Sequence, residues 1–245
     1  MNFSGIPSNS LLGLVLRYPL RLIPNGLIVP ILQGRLRGKK WIVGSGTHGC
    51  WLGSYEHDKQ RRFEQFVQEG DVVYDIGAHV GFYTLLASEL VGASGRVIAF
   101  EPLPRNIRFL RQHLALNNCN NVAVIDAVVS DQSATVRFEE GPSSSMGFMS
   151  EHGRLELKAA RLDELYAKGE IPRPDVIKMD IEGGEYHALS GAKCLLGEAR
   201  PVIFLATHGA SIHKKCCELL HALGYRLSAL TGVDVGNADE LICAE

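Results

Sequence analysis

Residues 72–83 read VVYDIGAHVGFY, and the fold that the rest of the sequence predicts follows from this stretch. The run Val72–Ile76 is apolar apart from one aspartate, which is typical of a strand that is buried on both faces. Gly77 and Gly81 then allow a tight turn and a close approach of the backbone to a ligand. Apolar residues return with helical spacing over Phe82–Val91. The stretch therefore predicts a buried strand, a glycine turn and a helix.

The same pattern recurs along the chain. Apolar runs predict further strands at 97–100, Val122–Ile125, 135–138, Leu155–Ala160, Val176–Met179, 202–205, 225–230 and 240–243. Helical spacing predicts helices at Pro104–Leu116, 185–195 and 211–223, and residues 141–147 are predicted to form a loop. Repeated strand–helix–strand units predict an α/β fold, in which helices cover both faces of a mostly parallel, doubly wound sheet. Such sheets bind ligands at the carboxyl ends of their strands, so the residues after each strand are candidate site residues.

The first 55 residues differ in charge from the rest of the chain. They contain no acidic residue and carry six basic ones, which are Arg17, Arg21, Arg35, Arg37, Lys39 and Lys40. We expect an accessory segment at residues 1–55 and a main domain at residues 56–245. The segment either caps the main domain or makes a peripheral membrane contact through residues 1–40, where basic groups meet anionic lipid. Its apolar runs, such as 11–16, are shorter than the roughly 20 residues that span a bilayer.

The composition excludes several classes of protein. Hydrophobic residues make up 46% and charged residues 21% of the chain, which argues against disorder of the whole chain. The net charge of −2 argues against a general nucleic-acid binder. None of the six cysteines forms a C-x-x-C pair, which favours free thiols over a disulfide framework or a zinc site. We therefore predict a cytoplasmic protein, either free or peripheral to the inner face of the membrane.

Acidic residues follow the predicted second and third strands. A carboxylate at Glu101 is placed to accept hydrogen bonds from the two hydroxyls of a ribose, unless it is only an exposed acid before a turn. Asp126 and Ala127 follow the third strand, where an adenine amino group would find an acceptor. The glycine turn is not the dinucleotide pattern G-x-G-x-x-G, because His79 and Phe82 stand at its second and third glycine positions. This difference argues against a nicotinamide-dependent oxidoreductase.

Acids and a histidine follow the predicted strands nearer the carboxyl end of the chain. Asp180 and Glu182 come after the strand Val176–Met179, and His208 comes after the strand at 202–205. A histidine is the natural proton acceptor near neutral pH. The structural alternatives are that Glu182 caps the next helix and that His208 is an ordinary turn residue.

Taken together, these residues resemble the FkbM-type methyltransferases, a branch of the class I enzymes that use S-adenosylmethionine. The similarity is carried by VVYDIGAHVGFYTLLAS, VIAFEPLPRN and VIKMDIEGGEYHALSGA, with GKKWIVGSGTHGCWLGSYE upstream of them. It extends over roughly residues 38–225. The resemblance implies a Rossmann-like class I methyltransferase fold, with S-adenosylmethionine as the cofactor.

The resemblance also implies roles for individual residues. The methionine end of the cofactor would lie on the glycine turn, the ribose on Glu101 and the adenine near Asp126. The predicted cofactor site comprises Asp75, Gly77, Ala78, His79, Gly81, Phe82, Glu101, Pro102, Asp126, Ala127 and Asp180. The predicted catalytic residues are His208, Asp180 and Glu182, and the predicted acceptor site comprises Tyr55, Glu56, Glu182 and His208.

Two positions depart from the family's pattern. His79 stands where the family usually has Asn, and Ala206 stands where many members carry the Glu of an E-x-H motif. The second change leaves the identity of the general base open between His208 and Asp180.

The activity that the resemblance implies is methylation of a hydroxyl on a saccharide or another secondary metabolite. An aliphatic hydroxyl is a poor nucleophile, so a positioned base is expected. Two alternatives stay open: an N- or carboxyl-methyltransferase with the same cofactor site, and a non-catalytic nucleoside-binding protein. A divalent ion between Asp180, Glu182 and His208 is chemically allowed, but we predict no metal.

Overall fold

The computed structural model describes residues 18–140, 147–149, 153, 155–232 and 234–244. Its strands are β1 (Ile28–Pro30), β2 (Lys40–Ile42), β3 (Val72–Ile76), β4 (Arg96–Phe100), β5 (Val122–Ile125), β6 (Val128–Val129), β7 (Thr135–Glu140), β8 (Gly147–Met149), β9 (Leu155–Ala160), β10 (Val176–Met179), β11 (Val202–Ala206), β12 (Arg226–Ala229) and β13 (Glu240–Ala244). Its α-helices are α1 (His48–Leu52), α2 (His57–Phe66), α3 (Phe82–Val91), α4 (Pro104–Leu116), α5 (Leu162–Ala167), α6 (Glu185–Ser190), α7 (Lys193–Ala199) and α8 (Ala210–Ala222). Short 3₁₀ helices lie at Pro19–Leu22 and Val235–Asn237. No helix in these described ranges is long and apolar enough to cross a membrane.

Parts of two sequence predictions lie outside the described residues. These are the apolar run at 11–16 with Arg17, and residues 141–146 of the predicted loop.

A seven-stranded sheet in the order β12-β13-β11-β10-β3-β4-β5 forms the centre of the molecule. The strands from β11 to β5 are parallel, whereas β13 runs antiparallel between β11 and β12. The chain moves outward from β3 through β4 to β5, and later returns to β10 on the other side of β3. The point where the strand order reverses therefore lies between β3 and β10, which is where such sheets bind ligands. The predicted doubly wound α/β architecture is confirmed.

Alternate residues of β3 pack on opposite faces of this sheet. Tyr74 lies in a cluster with Leu195 of α7, while Val73 lies in a second cluster with Leu86 of α3. Burial on both faces explains why the strand is apolar apart from Asp75 and does not alternate with polar residues.

Residues before β3 pack on the α3 face of the sheet, where no elements were predicted from the sequence. β1 and β2 form an antiparallel hairpin. Trp41 and Trp51 are buried in the cluster that also contains Val73. The ring of Trp41 stacks on that of His113 in α4, with 3.8 Å between their centroids. The segment after β1 is thus tied to the main sheet by buried aromatic contacts.

The predicted helix at 185–195 is wrong, because two shorter helices, α6 and α7, occupy this stretch. They are separated at Gly191, whose carbonyl accepts a hydrogen bond from the Asp163 N–H at 2.9 Å. A Cβ atom on Gly191 would lie only 2.2 Å from the carbonyl oxygen of Ser130. The break is therefore imposed by close packing of a distant backbone segment. The other predicted elements agree with the structure to within two residues at each end.

A smaller four-stranded sheet has the order β6-β9-β7-β8. β6 and β9 are parallel, and β7 is antiparallel to both β8 and β9. Because β6 follows β5 after only two residues, this sheet begins beside the carboxyl ends of the central strands.

Candidate active site

A cavity of about 720 Å³ lies at the carboxyl ends of β3, β4 and β10. Residues 44–47, which follow β2, form part of its wall together with Tyr55. The predicted site residues that line it are Tyr55, Gly77, Ala78, His79, Phe82, Glu101, Pro102, Ala127, Asp180 and Glu182. The structure thus brings most of the predicted cofactor residues, and two of the predicted acceptor residues, to one cavity.

Asp75 and Gly81 lie behind the cavity wall. Asp75 is 1% exposed, and its Oδ2 accepts a hydrogen bond from the Thr84 hydroxyl at 2.6 Å. Gly81 packs against α4 so closely that a Cβ atom would lie 2.5 Å from Cδ1 of Leu110. Both residues therefore hold the glycine turn and the start of α3 in place without lining the cavity.

Asp126 is also away from the cavity wall. Its carboxylate is about half exposed and lies 2.8 Å from Nη2 of Arg111 on α4. Of the two residues predicted to lie near an adenine, the structure brings Ala127 to the cavity and leaves Asp126 on the surface.

Lys178 lines the cavity and was not predicted as a site residue. Its Nζ donates a 3.0 Å hydrogen bond to the Gly77 carbonyl and lies 3.4 Å from Oδ1 of Asp75, which is its neighbour in the β3–β10 register. Gly77 has a φ of 80°, and a Cβ atom there would lie 2.0 Å from the carbonyl oxygen of Asp180. The sequence feature that could have identified Lys178 is its charge, since it lies inside the apolar run of a central strand.

The Glu101 carboxylate is fixed by three N–H donors. Its Oε2 accepts from the backbone of His79 at 2.8 Å, and its Oε1 accepts from the backbone of Leu103 and the side chain of Asn106, both at 3.0 Å. Burial raises the pKa of Glu101, although these hydrogen bonds act in the opposite direction. Because Oε2 receives only one of these bonds, it keeps the capacity to accept another from a ligand in the cavity.

His79 is kept neutral beside this carboxylate. Burial lowers the pKa of His79 to about 4, and the positive charges of Lys178 and Arg105 act in the same direction. A cationic ligand on the turn would therefore not meet a charged imidazole at neutral pH.

His208 follows β11, and its two ring nitrogens have different neighbours. Nδ1 lies 2.7 Å from Oε1 of Glu185, while Nε2 lies 3.7 Å from a carboxylate oxygen of both Asp180 and Glu182. The hydrogen bond to Glu185 raises the pKa of His208, and burial, which lowers it, is outweighed by the three carboxylates. His208 does not line the cavity, but its Nε2 faces Asp180 and Glu182, which do line it.

Glu185 is a second functional candidate that was not predicted from the sequence. Its side chain is completely buried, and its Oε1 also accepts a 3.0 Å hydrogen bond from the Gly183 N–H. Its Oε2 is buried without a hydrogen-bond partner. An acid at the start of a helix is common and is a weak signal in a sequence, whereas a fully buried acid needs a partner.

Lys59 of α2 links Asp180, which lines the cavity, to two carboxylates outside the cavity. Its Nζ lies 2.8 Å from Glu240, 3.3 Å from Glu56 and 3.5 Å from Asp180, and the residue is 4% exposed. Burial lowers the pKa of Lys59, but the three carboxylates outweigh this effect and the pKa lies above its ordinary value. The predicted acceptor residue Glu56 thus contacts Lys59 and not the cavity.

Asp180 and Glu182 titrate differently although both line the cavity. Burial raises the pKa of Asp180, but the charges of Lys178, Lys59 and His208 more than offset it, so the pKa is lowered. The pKa of Glu182 is raised, mainly by burial. Asp180 is therefore the acid that stays ionised most firmly.

The cavity suits a nucleoside that carries a cationic sulfonium. It offers one buried carboxylate at Glu101 for ribose hydroxyls and an ionised carboxylate at Asp180 for the positive charge. The absent side chain at Gly77 lets the Asp180 backbone pack directly against the turn. No cluster of three or more potential metal ligands occurs among the residues whose positions are described.

Comparison with known proteins agrees with this geometry. The sequence model of the methyltransferase FkbM domain matches residues 75–227. The hexuronic acid methyltransferase AglP of Haloferax volcanii is 30% identical over 138 residues. The aligned stretch covers 56% of this chain and 56% of AglP, so the chain spans little more than half the length of that relative.

Solved structures show the same fold. A methyltransferase FkbM from Methylobacillus flagellatus superposes with a TM-score of 0.53 and 16% identity, over 82% of this chain and 56% of the other. An S-adenosylmethionine-dependent O-methyltransferase from Thermotoga maritima superposes with a TM-score of 0.50 and 14% identity, over 93% of this chain and 80% of the other. At these identities the likeness concerns the fold alone. The match to the family model extends over more than half of the chain, which therefore belongs to the methyltransferase FkbM domain family.

Proposed function

We propose that this chain transfers a methyl group from S-adenosylmethionine to an oxygen atom of a saccharide. Glu101 would hold the ribose, Ala127 would lie against the adenine, and the turn from Gly77 to His79 would carry the methionine end. S-adenosylmethionine supplies an electrophilic methyl group bonded to a positively charged sulfur. Asp180 lines the cavity and its pKa is lowered, so its carboxylate would face that charge in the ionised form.

The observation that carries this proposal is the placement of His208. Its Nδ1–H donates to the buried Glu185, which leaves Nε2 as the proton acceptor on the side of the cavity acids. An acceptor hydroxyl near Nε2 would lose its proton to His208 as the oxygen–methyl bond forms and the methyl–sulfur bond breaks, with the electron pair of that bond going to sulfur. Glu185 would stabilise the imidazolium that results, because its charge is buried and already in place.

The saccharide acceptor is supported by the name of the relative AglP, a hexuronic acid methyltransferase. The wall residues Tyr55 and Glu182 belong to the proposed acceptor site. We assign residues 1–55 to an accessory segment whose later part, from residue 44, closes the acceptor side. The free cysteines among the described residues are consistent with a cytoplasmic enzyme, and we also propose a peripheral membrane contact through residues 1–40.

Carboxyl methylation is a second candidate, because a hexuronic acid carries a carboxylate as well as hydroxyls. A carboxylate is already a nucleophile and needs no base. It would also meet repulsion from Asp180 and Glu182, so the geometry favours the hydroxyl.

The test uses labelled S-adenosylmethionine with a hexuronic acid glycoside and its neutral hexose counterpart as acceptors. Transfer to a product that resists mild alkali supports an ether and therefore hydroxyl methylation. A product that releases methanol in alkali identifies the carboxyl ester instead. Binding of the cofactor without transfer to any saccharide would contradict the proposed activity.

A further inference from the structure

The large hydrophobic side chains that are exposed in the described part of the chain lie within residues 18–32. They are Tyr18, Leu22, Leu27, Ile28 and Leu32, each between 48% and 70% exposed. Single exposed hydrophobic residues need no explanation, but five within fifteen consecutive residues are a concentration that an interaction surface would explain. We call these five residues the apolar patch.

The β1–β2 hairpin carries apolar side chains on both faces, and Ile28 continues the apolar patch onto it. Val29 pairs with Trp41, and this pair contacts the core of the molecule. Ile28 pairs with Ile42 on the opposite face, since side chains alternate along a strand. β2 packs against α4 and Ile42 is only 8% exposed, so the uncovered part of this face is the half-exposed Ile28.

This second face opens into a groove of about 630 Å³ beside α4. Ile28 and Ile42 line one side of the groove, and Phe109 and Leu116 line the other. Arg108 also lines the groove, and its guanidinium lies 5.1 Å from the centre of the Phe109 ring. The groove therefore combines apolar walls with a positive charge.

Among the described residues, four exposed cations lie on the hairpin or on the groove wall. Arg35 and Arg37 lie in the loop between β1 and β2, Lys40 begins β2, and Arg108 lines the groove. No carboxylate of the described residues forms an ion pair with any of them, although neighbouring Lys39 pairs with Glu89 at 2.7 Å. Residues 1–55 contain no acid at all. The surface thus carries exposed apolar groups and uncompensated positive charge together.

We infer that this surface binds an anionic lipid bilayer. Such a bilayer presents negative headgroups above an apolar layer, so it matches the cations and the apolar patch at the same time. Other occupants would match either the cations or the apolar patch, but not both. A nucleic acid would neutralise the charge but leave the aliphatic side chains uncovered. A second copy in a twofold contact would bring the same four cations against one another. Residues 1–17 contain one arginine and no acid, so they bring no negative charge.

The position of the surface fits an enzyme that takes its acceptor at a membrane. The chain leaves the groove at Ile42 and reaches the cavity wall at Gly44. This inference specifies the membrane contact in the proposed function. Its test uses no methyl transfer, so failure of the contact and failure of the activity are distinguishable.

The test is co-sedimentation of the full chain with phosphatidylcholine vesicles that contain or lack phosphatidylglycerol. We expect binding to the anionic vesicles only, weakened by raising NaCl from about 0.1 M to about 0.5 M. Replacing Arg35, Arg37, Lys40 and Arg108 with Gln should reduce binding by at least about tenfold. The matched control replaces four exposed lysines elsewhere, Lys168, Lys193, Lys214 and Lys215, with Gln and should bind as the wild type does.

A second variant, in which Leu22, Leu27 and Leu32 are replaced by Ser, removes apolar area and keeps every charge. It should also lose binding, while its thermal unfolding stays close to that of the wild type because these side chains are already exposed. Absence of wild-type binding to anionic vesicles would overturn the inference. So would full binding by the four-Gln variant, or loss of binding on deletion of residues 1–17 alone. If the wild-type protein binds an acidic amphipathic peptide but does not bind vesicles, the inference is overturned and the surface is assigned to a protein partner.

Discussion

At the Glu101 end of the cavity the polar contacts come from nearby residues, whereas at the His208 end they come from distant parts of the chain. Glu101 accepts hydrogen bonds from residues 2, 5 and 22 positions away. Lys59 reaches Asp180 across 121 positions and Glu240 across 181. Two neighbouring strands, β3 and β4, and the residues that follow them form the first end. The second end exists only when the whole sheet and the segment before it are assembled.

The two ends also differ in how charge is compensated. Glu101 is a single carboxylate that accepts from neutral donors. At the other end, five carboxylates surround two cationic groups: Lys59 contacts three of them and His208 contacts three, with Asp180 common to both. Loss of one charge there leaves several partners with less charge compensation, so we expect larger effects from substitutions at the His208 end.

The largest effect is expected from His208→Asn, which keeps a donor toward Glu185 but removes the proton acceptor. Turnover should fall by about 10²–10⁴-fold, the usual contribution of a general base. Affinity for S-adenosylmethionine, measured by calorimetry, should stay within about twofold, since His208 is not on the cavity wall. The control is His221→Asn, at an exposed position of α8. An equal loss of cofactor affinity and turnover would assign His208 to binding.

The next effect concerns stability. Lys59→Met would leave Glu56, Asp180 and Glu240 without their shared counter-charge. Breaking a buried ionic cluster in this way costs about 3–5 kcal/mol, measurable as a lower midpoint of urea unfolding at neutral pH. Lys214→Met, whose side chain is exposed and 3.9 Å from Glu218, should cost less than about 0.5 kcal/mol. Similar losses in the two variants would mean that the cluster does not stabilise the fold.

The contrast between the two ends also explains how much the sequence could predict. The bounds of α3 and α4 were predicted because glycines and a proline mark their ends locally. The division between α6 and α7 was not, because it depends on the Ser130 backbone against Gly191. β1 and β2 are only three residues long, and no local pattern distinguishes such short strands.

The same distinction applies to the site. Glu101 and Asp180 were predicted because they follow apolar strands directly. Lys59 and Glu240 were not, because nothing in their own neighbourhoods shows that they meet. Asp126 was predicted from its place after β5, but its side chain turns to Arg111 on the surface.

A smaller effect is expected at the Glu101 end. Glu101→Gln places an amide where the carboxylate accepts three hydrogen bonds, so affinity for S-adenosylmethionine should fall by about tenfold. Asp126→Asn should change it by less than about twofold, since this side chain is outside the cavity. Titration calorimetry on both variants measures the difference. Equal weakening by the two substitutions would place Asp126 in the cofactor site after all.

The most direct measurement of the central claim is the pH dependence of kcat/KM for the wild type and for Glu185→Gln. Glu185, with Asp180 and Glu182, raises the pKa of His208, so the histidine is protonated and inactive as a base below that raised value. The wild-type rate should therefore rise with pH along a limb centred above the ordinary histidine pKa of about 6.5. In Glu185→Gln the buried charge is lost, so the limb should move to lower pH and its plateau should fall. A limb at the same pH in both proteins, or a wild-type rate that does not vary between about pH 5 and 9, would contradict the assignment of His208 as the base held by Glu185.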